Sequence, residues 1–431
     1  MDEKFRQELR GIDAGLSKLY LFRDFLEEDL IAKFRNLLRA AISESNNIKD
    51  AYWDFQHGLI NEAQRRGLKG DLWQSYIFYL LITSENPFSR TIEKLESKDI
   101  SSNLLRGATH DMEIVRMLFD MDFRRLGNAL NEECFAYMES LPGMGVQENI
   151  LVKFESFKEK ISEGSPEKMV EILLDFYYKY GCGENALNKV FRWQKNGGLV
   201  GIKYSDPITM EDLIGYSYQK RILMENTEAF LAGRKANNIL LYGKRGTGKS
   251  SSIKALANKY FDWGLRLIEV PKHQLHYLPE ILGSVRERMH RFIIFIDDLS
   301  FEGYETEYKY LKALLEGGVE VTPDNVLLYA TSNRRHLVQE KWSDREERDE
   351  EIHAADSVEE KLSLVDRFGI TITFTSPDQD EYLKIVEGIA SRENIDIPLN
   401  ELREKALQWE KWYRGRSGRS ARQFVNYLLS L

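Results

Sequence analysis

Residues 239–251 read Ile-Leu-Leu-Tyr-Gly-Lys-Arg-Gly-Thr-Gly-Lys-Ser-Ser. The apolar run 239–242 predicts a buried strand that leads directly into Gly243-x-x-x-x-Gly248-Lys249-Ser250. Glycines at such positions allow backbone N–H groups to turn inward around phosphate oxygens, and the N-terminal end of a following helix attracts the same anion. The stretch therefore predicts a strand, a phosphate-binding loop and a helix, in that order.

The loop also assigns chemistry to particular side chains. Lys249 is expected to reach the β- and γ-phosphates of a nucleoside triphosphate, and the Ser250 hydroxyl is expected to hold Mg²⁺. The other loop residues expected to contact the nucleotide are Gly243, Lys244, Arg245, Gly246, Thr247, Gly248 and Ser251.

Composition narrows the class of protein. The chain has 431 residues, of which 42% are hydrophobic and 30% charged, as in a soluble globular protein of about two to three domains. Its net charge of −9 gives no overall footprint for nucleic acid, although a local basic patch stays open. Cys134 and Cys182 lack the paired spacing of a disulfide framework or a zinc site, which favours a reducing cytoplasm. Residues 72–83 are too short to span a membrane, since a spanning helix needs about 20 residues, so no membrane role is expected.

Three regions differ in pattern. Residues 1–195 carry apolar side chains at helical spacing and predict an all-α N-terminal domain. Residues 196–376 alternate short apolar runs with helical segments, which is typical of a parallel, five-stranded sheet between helical layers. Residues 377–431 predict a small helical lid. The strands are expected at 239–242, 266–270, 292–296, 326–331 and 370–374.

Acidic and amide side chains follow two of these strands. Residues 291–298 read Arg-Phe-Ile-Ile-Phe-Ile-Asp-Asp, so Asp297 and Asp298 should reach the phosphate edge of the sheet. Asp297 is expected to organise Mg²⁺, and Asp298 to orient or deprotonate an attacking water. Asn333 closes a later strand and could hold that water. Taken alone, the Asp pair could also cap an ordinary loop after the strand, and Asn333 could also be a turn residue.

Arginines supply further candidates. Arg367 precedes the last strand and could reach the γ-phosphate of a neighbouring subunit, or form a surface pair with Asp366. Arg419 and Arg422 begin a C-terminal helix and could close over the phosphates. Their basic surroundings could instead bind nucleic acid, but interleaved glutamates weaken that alternative.

In this order, these elements resemble the Walker A, Walker B, sensor 1, arginine-finger and sensor 2 motifs of AAA+ ATPases. The stretch from about Phe191 is similar to an uncharacterised bacterial AAA+ family catalogued as domain of unknown function 815. The residues that carry this likeness are Phe191-Arg-Trp193, Asp212-Leu-Ile-Gly215, Gly246-Thr-Gly-Lys-Ser-Ser251, Gly264-Leu-Arg-Leu-Ile-Glu269, Phe295-Ile-Asp-Asp-Leu-Ser-Phe-Glu302, Glu316-Gly-Gly318, Ala330-Thr-Ser-Asn-Arg-Arg-His-Leu337 and Glu360-Lys-Leu-Ser-Leu-Val-Asp-Arg-Phe-Gly369.

The resemblance implies a role for each matching position. Asp297 takes the place of the magnesium carboxylate, and the loop residues take the Walker A places. Asn333 takes the place of sensor 1, Arg367 that of the finger and Arg422 that of sensor 2. Ile214 and Gly215 fall where the family lines the adenine pocket. One departure is Asp298, since many AAA+ proteins have glutamate there, and Glu302 could contribute instead.

The resemblance further implies an ATPase that uses ATP and Mg²⁺ at the subunit interfaces of a homo-oligomeric ring or arc. Such an assembly would remodel or load a macromolecule, and the N-terminal domain would bind an unknown partner. The alternative is a nucleotide-gated binding or scaffold module with little turnover. Asp298 and the lack of an aromatic–apolar–Gly triplet in residues 271–279 favour that alternative. Arg334, Arg335 and the arginines of 416–422 leave a nucleic-acid target open, and the charged insert 338–360 could dock a partner.

Overall fold

The computed structural model describes residues 1–94, 100–135, 137–138, 153–301, 307–316, 322–333, 364–413 and 415–430. Glu302, Arg334, Arg335 and the charged insert 338–360 lie outside these residues. The chain divides into two compact units, Met1–Asn188 and Lys189–Leu431. The division falls before residue 195, the expected end of the first domain, because residues 190–194 form a strand in the sheet of the second unit.

In its described residues the first unit is helical, as predicted, apart from one two-residue strand pair. Its helices are α1 (Glu3–Leu16), α2 (Asp29–Ile42), α3 (Ile48–Arg66), α4 (Leu72–Thr83), α5 (Pro87–Lys94), α6 (Ser102–Phe119), α7 (Phe123–Leu130), α8 (Glu155–Glu163), α9 (Pro166–Tyr180) and α10 (Glu184–Leu187). The antiparallel pair is β1 (Gly70–Asp71) with β2 (Tyr137–Met138).

Aromatic side chains fill the core of this unit. Phe34, Phe55, Trp73 and Phe123 are all buried and pack ring against ring, with the Phe55 and Phe123 rings stacked at 4.9 Å between centroids. Rings of this size supply much of the apolar area that stabilises a helical core. These aromatics therefore belong to the core rather than to a recognition surface.

The second unit contains a sheet of seven strands. The strands are β3 (Val190–Gln194), β4 (Gly198–Gly201), β5 (Ile239–Gly243), β6 (Leu265–Glu269), β7 (Arg291–Ile296), β8 (Val326–Ser332) and β9 (Ile370–Phe374). Their order is β4-β3-β6-β7-β8-β5-β9, and only the β3–β4 pairing is antiparallel. The five predicted strands are β5 to β9, and β3 and β4 extend the sheet beyond β6.

Helices cover both faces of this sheet. They are α11 (Ser217–Leu231), α12 (Lys249–Tyr260), α13 (Leu278–Val285) and α14 (Tyr308–Glu316). Side chains alternate along β5, so Ile239 and Leu241 pack with α11 and α12, whereas Leu240 packs with α13 and α14. The predicted class, a parallel sheet between two helical layers, is confirmed.

Three helices form a small C-terminal bundle, as predicted for the lid. They are α15 (Gln379–Arg392), α16 (Leu399–Tyr413) and α17 (Gly418–Leu429). The bundle has its own apolar core, which includes Ile385, Ile389 and Phe424, and Ile214 packs against that core from the segment before α11. Each helix in the described part of the chain is too short or too polar to cross a membrane.

Candidate functional site

The loop between β5 and α12 contains three glycines with positive φ angles. The angles are 145° at Gly243, 78° at Gly246 and 92° at Gly248, a region that favours glycine. A Cβ atom at Gly243 would overlap the carbonyl oxygen of Phe374 and lie 2.7 Å from its carbonyl carbon. The chain can therefore leave β5 beside β9 only if residue 243 has no side chain.

We expect Gly243→Ala to lower the free energy of unfolding by roughly 1–3 kcal/mol, the usual cost of forcing extra atoms into packed structure. Gly283→Ala, in α13, is the matched control because its Cβ would meet no atom within 4 Å. That control should instead raise the stability by about 0.4–1 kcal/mol. Urea denaturation followed by tryptophan fluorescence measures both changes. Equal midpoints for wild type and Gly243→Ala would contradict the close approach to β9.

Lys249 is the first residue of α12 and is only 6% exposed. Its Nζ donates to the carbonyl oxygens of Gly243 and Lys244, both at 2.8 Å, and to Asn333 Oδ1 at 3.1 Å. The three protons of the ammonium group thus have three acceptors. Burial lowers the pKa of Lys249, although the nearby Asp298 carboxylate acts in the opposite direction. The loop backbone and Asn333 therefore hold a buried, fully hydrogen-bonded ammonium group.

Two oxygen-bearing side chains meet next to this lysine. The Ser250 hydroxyl donates to Asp297 Oδ1 at 2.6 Å. Asp297 comes directly after β7, and β5 and β7 end at the same edge because both run parallel to β8. Mg²⁺ prefers hydroxyl and carboxylate oxygens and usually takes few ligands from the protein when phosphates and water supply the rest. The residues present therefore fit a magnesium site with Ser250 and Asp297 as the protein side.

Asp298 has a left-handed backbone, with φ at 51°. Its carboxylate accepts a hydrogen bond from Asn333 Nδ2 and lies 3.9 Å from the Arg245 guanidinium. Aspartate tolerates this backbone conformation better than residues with longer side chains. The conformation gives a physical reason for aspartate at a position where the resembling proteins often have glutamate.

Sequence reasoning missed Thr331, which lies on β8 beside the two acidic residues that follow β7. Its hydroxyl donates to Asp297 Oδ1 at 2.5 Å and accepts from the Asp298 backbone N–H at 2.9 Å. The sequence carried a signal, because Ala330-Thr331-Ser332-Asn333 ends the strand that neighbours β7. Which hydroxyl faces Asp297, however, depends on the register between the two strands.

A cavity of about 640 Å³ opens beside the loop, a size typical of small-molecule sites. Residues 245–252, Asp297, Asp298, Thr331 and Asn333 line its polar part. The apolar part of the lining comes from the segment before α11 and from α15; it consists of Ile208, Leu213, Ile214, Tyr216, Ile385 and Ile389. Asp212 and Lys220 also line the cavity. The cavity thus combines the polar groups of the loop with a set of apolar side chains, here called the apolar slot.

The candidate adenine-pocket residues differ in their position. Ile214 lines the apolar slot and packs so closely on α15 that a Cβ at Gly388 would lie 3.1 Å from its Cγ1. Gly215 follows it with φ at 82° and is not among the described residues that line the cavity. Ile214 therefore borders the slot itself, and Gly215 turns the chain behind it.

The two candidate arginines of α17 make different contacts. Arg419 and Arg422 both line the cavity. The Arg419 backbone N–H donates to the carbonyl oxygen of Gly246 at 3.2 Å, so the start of α17 touches the loop. The Arg422 guanidinium forms an ion pair with Glu393 at 2.5 Å instead. The side chain of Arg422 would have to leave Glu393 to approach a phosphate.

Arg367 lies away from the cavity. It is exposed, precedes β9 and is not among the described residues that line the cavity. Ile370 pairs with Ile239 at the start of β5, whereas the loop leaves the far end of β5. A five-residue strand is about 16 Å long, so Arg367 sits near the opposite edge of the sheet from the loop. The Arg367 side chain therefore cannot reach the cavity of its own subunit.

Comparisons with known proteins identify one family. The family model described as "Protein of unknown function (DUF815)" matches residues 186–431. No curated protein matches the chain. Similar solved structures include the Thermotoga maritima RuvB Holliday junction branch migration motor, at 16% identity and a TM-score of 0.32, over 52% of this chain and 72% of that chain. A point variant of Thermotoga maritima RuvB is similar at 15% identity and a TM-score of 0.33, with the same coverage. At these TM-scores the likeness carries no weight for chemistry.

Proposed function

Because this chain belongs to the family described as Protein of unknown function (DUF815), whose match spans the loop and the cavity, we propose that it is an ATPase of the AAA+ type. It binds ATP with Mg²⁺ in the cavity and hydrolyses it to ADP and phosphate. The active sites lie at the interfaces of a homo-oligomeric ring or arc, and turnover is coupled to remodelling or loading of a macromolecule.

One observation carries the chemical part of this proposal. The Lys249 ammonium, the Ser250 hydroxyl and the Asp297 carboxylate converge on the polar part of the cavity, beside a loop whose glycines open its backbone. A lysine serves as a point charge for phosphate, and the N-terminal end of α12 adds a favourable potential. These three side chains of one cavity therefore supply contacts for both the phosphates and the magnesium ion.

The apolar slot of the same cavity supports the proposal that a purine base binds there. Ile214 and Tyr216 face it from the sheet side, and Ile385 and Ile389 face it from the bundle. Flat aromatic ligands gain most from burial between apolar walls of this kind. The slot and the loop are joined by one continuous cavity, as a nucleoside triphosphate requires.

Each polar residue then has a distinct task in hydrolysis. When bound, Mg²⁺ supplies positive charge to the β- and γ-phosphate oxygens, and Ser250 and Asp297 hold it. Asp298 accepts a hydrogen bond from the attacking water and directs its oxygen at the γ-phosphorus. As the water oxygen bonds to the γ-phosphorus, the water proton passes to Asp298 and the bond from the γ-phosphorus to the bridging oxygen breaks. Lys249 stabilises the charge that develops on the bridging oxygen of the departing ADP, and Asp298 then releases the proton to solvent. Asn333 links Lys249 to Asp298 and thereby sets the distance between these two groups.

Asp298→Asn should lower the turnover number at least about 10²-fold, the usual lower contribution of a positioned acid–base group. Asparagine tolerates the left-handed backbone, so folding and ATP binding should stay close to wild type. Asp298→Glu keeps the charge but places a longer side chain at φ 51°, which should cost at most about 1–2 kcal/mol of stability, the full cost of a left-handed residue. Phosphate release at saturating ATP and urea denaturation measure the two effects. Wild-type turnover in Asp298→Asn would remove Asp298 from the chemistry.

A second candidate function is a nucleotide-gated binding or scaffold module with little turnover. The contacts of Asp298 favour it, because Asn333 and Arg245 already engage the carboxylate that the ATPase needs for water. In such a module, bound ATP would order a surface for a partner, and hydrolysis would be incidental.

The rate of phosphate release, measured against protein concentration, tests the two functions against each other. Shared active sites predict a specific rate that rises as subunits associate. A flat rate no higher than that of a loop variant, despite tight binding of Mg²⁺ and ATP, would support the module instead. The mass of the protein with and without ATP, measured in parallel, would report whether assembly accompanies the rate.

We place the macromolecular partner on the N-terminal unit. The N-terminal unit is the natural place for partner binding, because all but its last three residues lie outside the residues that match the family. A nucleic-acid partner has little support from the basic C-terminal residues, because Arg403, Arg416 and Arg422 each pair with a glutamate. Binding to DNA that weakens steeply as the salt concentration rises would support a nucleic-acid partner instead.

A further inference from the structure

The peptide between Asp297 and Asp298 directly follows β7, but a residue of the neighbouring strand β8 holds it through hydrogen bonds. Thr331 is 1% exposed on β8, which pairs with β7 through Ile296 and Ala330. Its hydroxyl bonds to Asp297 Oδ1 at 2.5 Å and to the Asp298 backbone nitrogen at 2.9 Å. Its own carbonyl oxygen accepts the Leu299 N–H at 2.7 Å. One residue thus contacts three successive residues of the segment that follows β7.

The chemistry of these contacts fixes the direction of each hydrogen bond. A backbone N–H can only donate, so the Thr331 oxygen must accept from Asp298. The hydroxyl proton is then available for the Asp297 carboxylate, which accepts it. Both capacities of the hydroxyl are used inside the protein, and Asp297 Oδ1 also accepts from Ser250 at 2.6 Å. The contact therefore ties the metal-site carboxylate to the backbone of the next residue.

The left-handed backbone of Asp298 explains why the hydrogen bond from Thr331 matters. A non-glycine residue with φ at 51° needs support from its surroundings, and such conformations persist where the structure over-determines them. The Asp298 N–H has a second acceptor, Asp297 Oδ1 at 3.1 Å, but the Thr331 contact is shorter. Without the threonine hydroxyl, both the Asp297 rotamer and the turn at Asp298 lose an anchor.

We propose that Thr331 is a positioning residue that sets Asp297 for magnesium and Asp298 for water through one shared hydroxyl. This inference rests on the proposed ATPase activity for its functional half. Its structural half concerns the protein without nucleotide and holds independently. Partners that orient metal-site ligands typically change affinity or activity about 10- to 100-fold when they are removed.

Thr331→Val is the test variant, because valine has nearly the same shape and lacks the hydroxyl. Thr331→Ser is the matched control, because serine keeps the hydroxyl. In Thr331→Val, the Mg²⁺ concentration that half-saturates binding of a fluorescent ATP analogue should rise about 10-fold or more. Turnover at saturating Mg²⁺ and ATP should also fall about 10- to 100-fold. Thr331→Ser should restore both quantities to near wild type.

Amide hydrogen exchange in nucleotide-free protein provides the independent readout. Exchange at Asp298 should accelerate about tenfold in Thr331→Val, as expected for loss of one hydrogen bond. Exchange at Leu299 should stay unchanged, because its acceptor is the Thr331 backbone carbonyl, which valine retains. Acceleration at both amides would indicate general loosening and overturn the positioning role.

The outcomes separate the two proposals. Unaltered magnesium dependence and turnover in Thr331→Val would overturn the functional role of Thr331, provided that the wild type hydrolyses ATP. A wild type that neither binds nor hydrolyses ATP would overturn the proposed function instead. In that case, selective exchange at Asp298 would still establish that Thr331 holds the turn, and unchanged exchange there would overturn both halves of the inference.

Discussion

Lys249→Ala should abolish measurable ATP hydrolysis and weaken ATP binding. The ammonium group is expected to exchange two of its three present hydrogen bonds for hydrogen bonds to two phosphate groups, and a hydrogen bond to a charged group contributes about 1.5–3 kcal/mol. Loss of two such bonds lowers kcat/KM roughly 10²- to 10⁴-fold. The loop lysine is buried and already points along the loop towards Asn333, so no other described side chain replaces its charge at that point. Phosphate release and calorimetric titration with Mg²⁺ and ATP measure the two losses.

The control for this variant lies on the same helix. Lys259 is exposed in the last turn of α12, and Lys259→Ala removes the same charge and the same number of atoms. Lys259→Ala should leave ATP binding and hydrolysis unchanged. Lys249→Arg should not rescue activity, because a planar guanidinium cannot point its donors at three acceptors that converge on one nitrogen. If Lys249→Ala still bound ATP as tightly as the wild type, the loop would not be the phosphate site.

Arg367→Ala should lower turnover by about 10³- to 10⁵-fold, the range for an arginine that stabilises a transferring phosphoryl group from a neighbouring subunit. ATP affinity should change little, because the arginine lies near the far edge of the sheet from its own loop. Asp366→Ala alters an adjacent exposed charge and is the control; it should keep wild-type turnover. Loss of ATP binding in Arg367→Ala would contradict the assignment, since it would place Arg367 in the ground-state site.

Mixing two inactive variants tests the shared site directly. An Arg367→Ala subunit retains an intact loop, and a Lys249→Ala subunit retains the arginine. If the arginine acts across an interface, mixed oligomers contain some complete sites and recover phosphate release. Mixing should restore nothing if each subunit works alone. Equal assembly of both variants, measured by mass, is the condition for this comparison.

Local patterns were sufficient to predict most of the sheet and the phosphate loop. Strands β5 to β9 are short apolar runs, and a glycine-rich loop after such a run restricts the local geometry strongly. The hairpin of β3 and β4 was not predicted, because the sequence pattern places residues 190–195 in the helical region and Asn196-Gly197-Gly198 looks like a domain boundary. In the structure those residues turn the chain between paired strands. Propensity alone does not separate a tight hairpin turn from a linker.

The candidate site was predictable only where one strand or loop determines it. Lys249, Ser250 and Asp297 follow from the loop and from the end of one apolar strand. The role of Thr331 depends on the register between β7 and β8, and the left-handed turn at Asp298 depends on contacts from β8. Arg419 and Arg422 lie on one short helix, so sequence spacing alone left open which of them faces the loop. Pairing between distant segments decides all of these features.

The contact between Gly246 and the start of α17 couples the C-terminal bundle to the phosphate-binding loop. A backbone hydrogen bond of 3.2 Å joins the loop to the first turn of that helix, and a Cβ at Gly246 would lie only 3.0 Å from that of Arg419. The helix has 12 residues, so its far end lies about 18 Å from this pivot. If a phosphate that binds in the loop displaces this carbonyl and tilts the first turn, we expect the displacement to be largest at Tyr427 and Leu429. These two exposed side chains would travel farthest, so a fluorophore beside them would report whether the loop is filled.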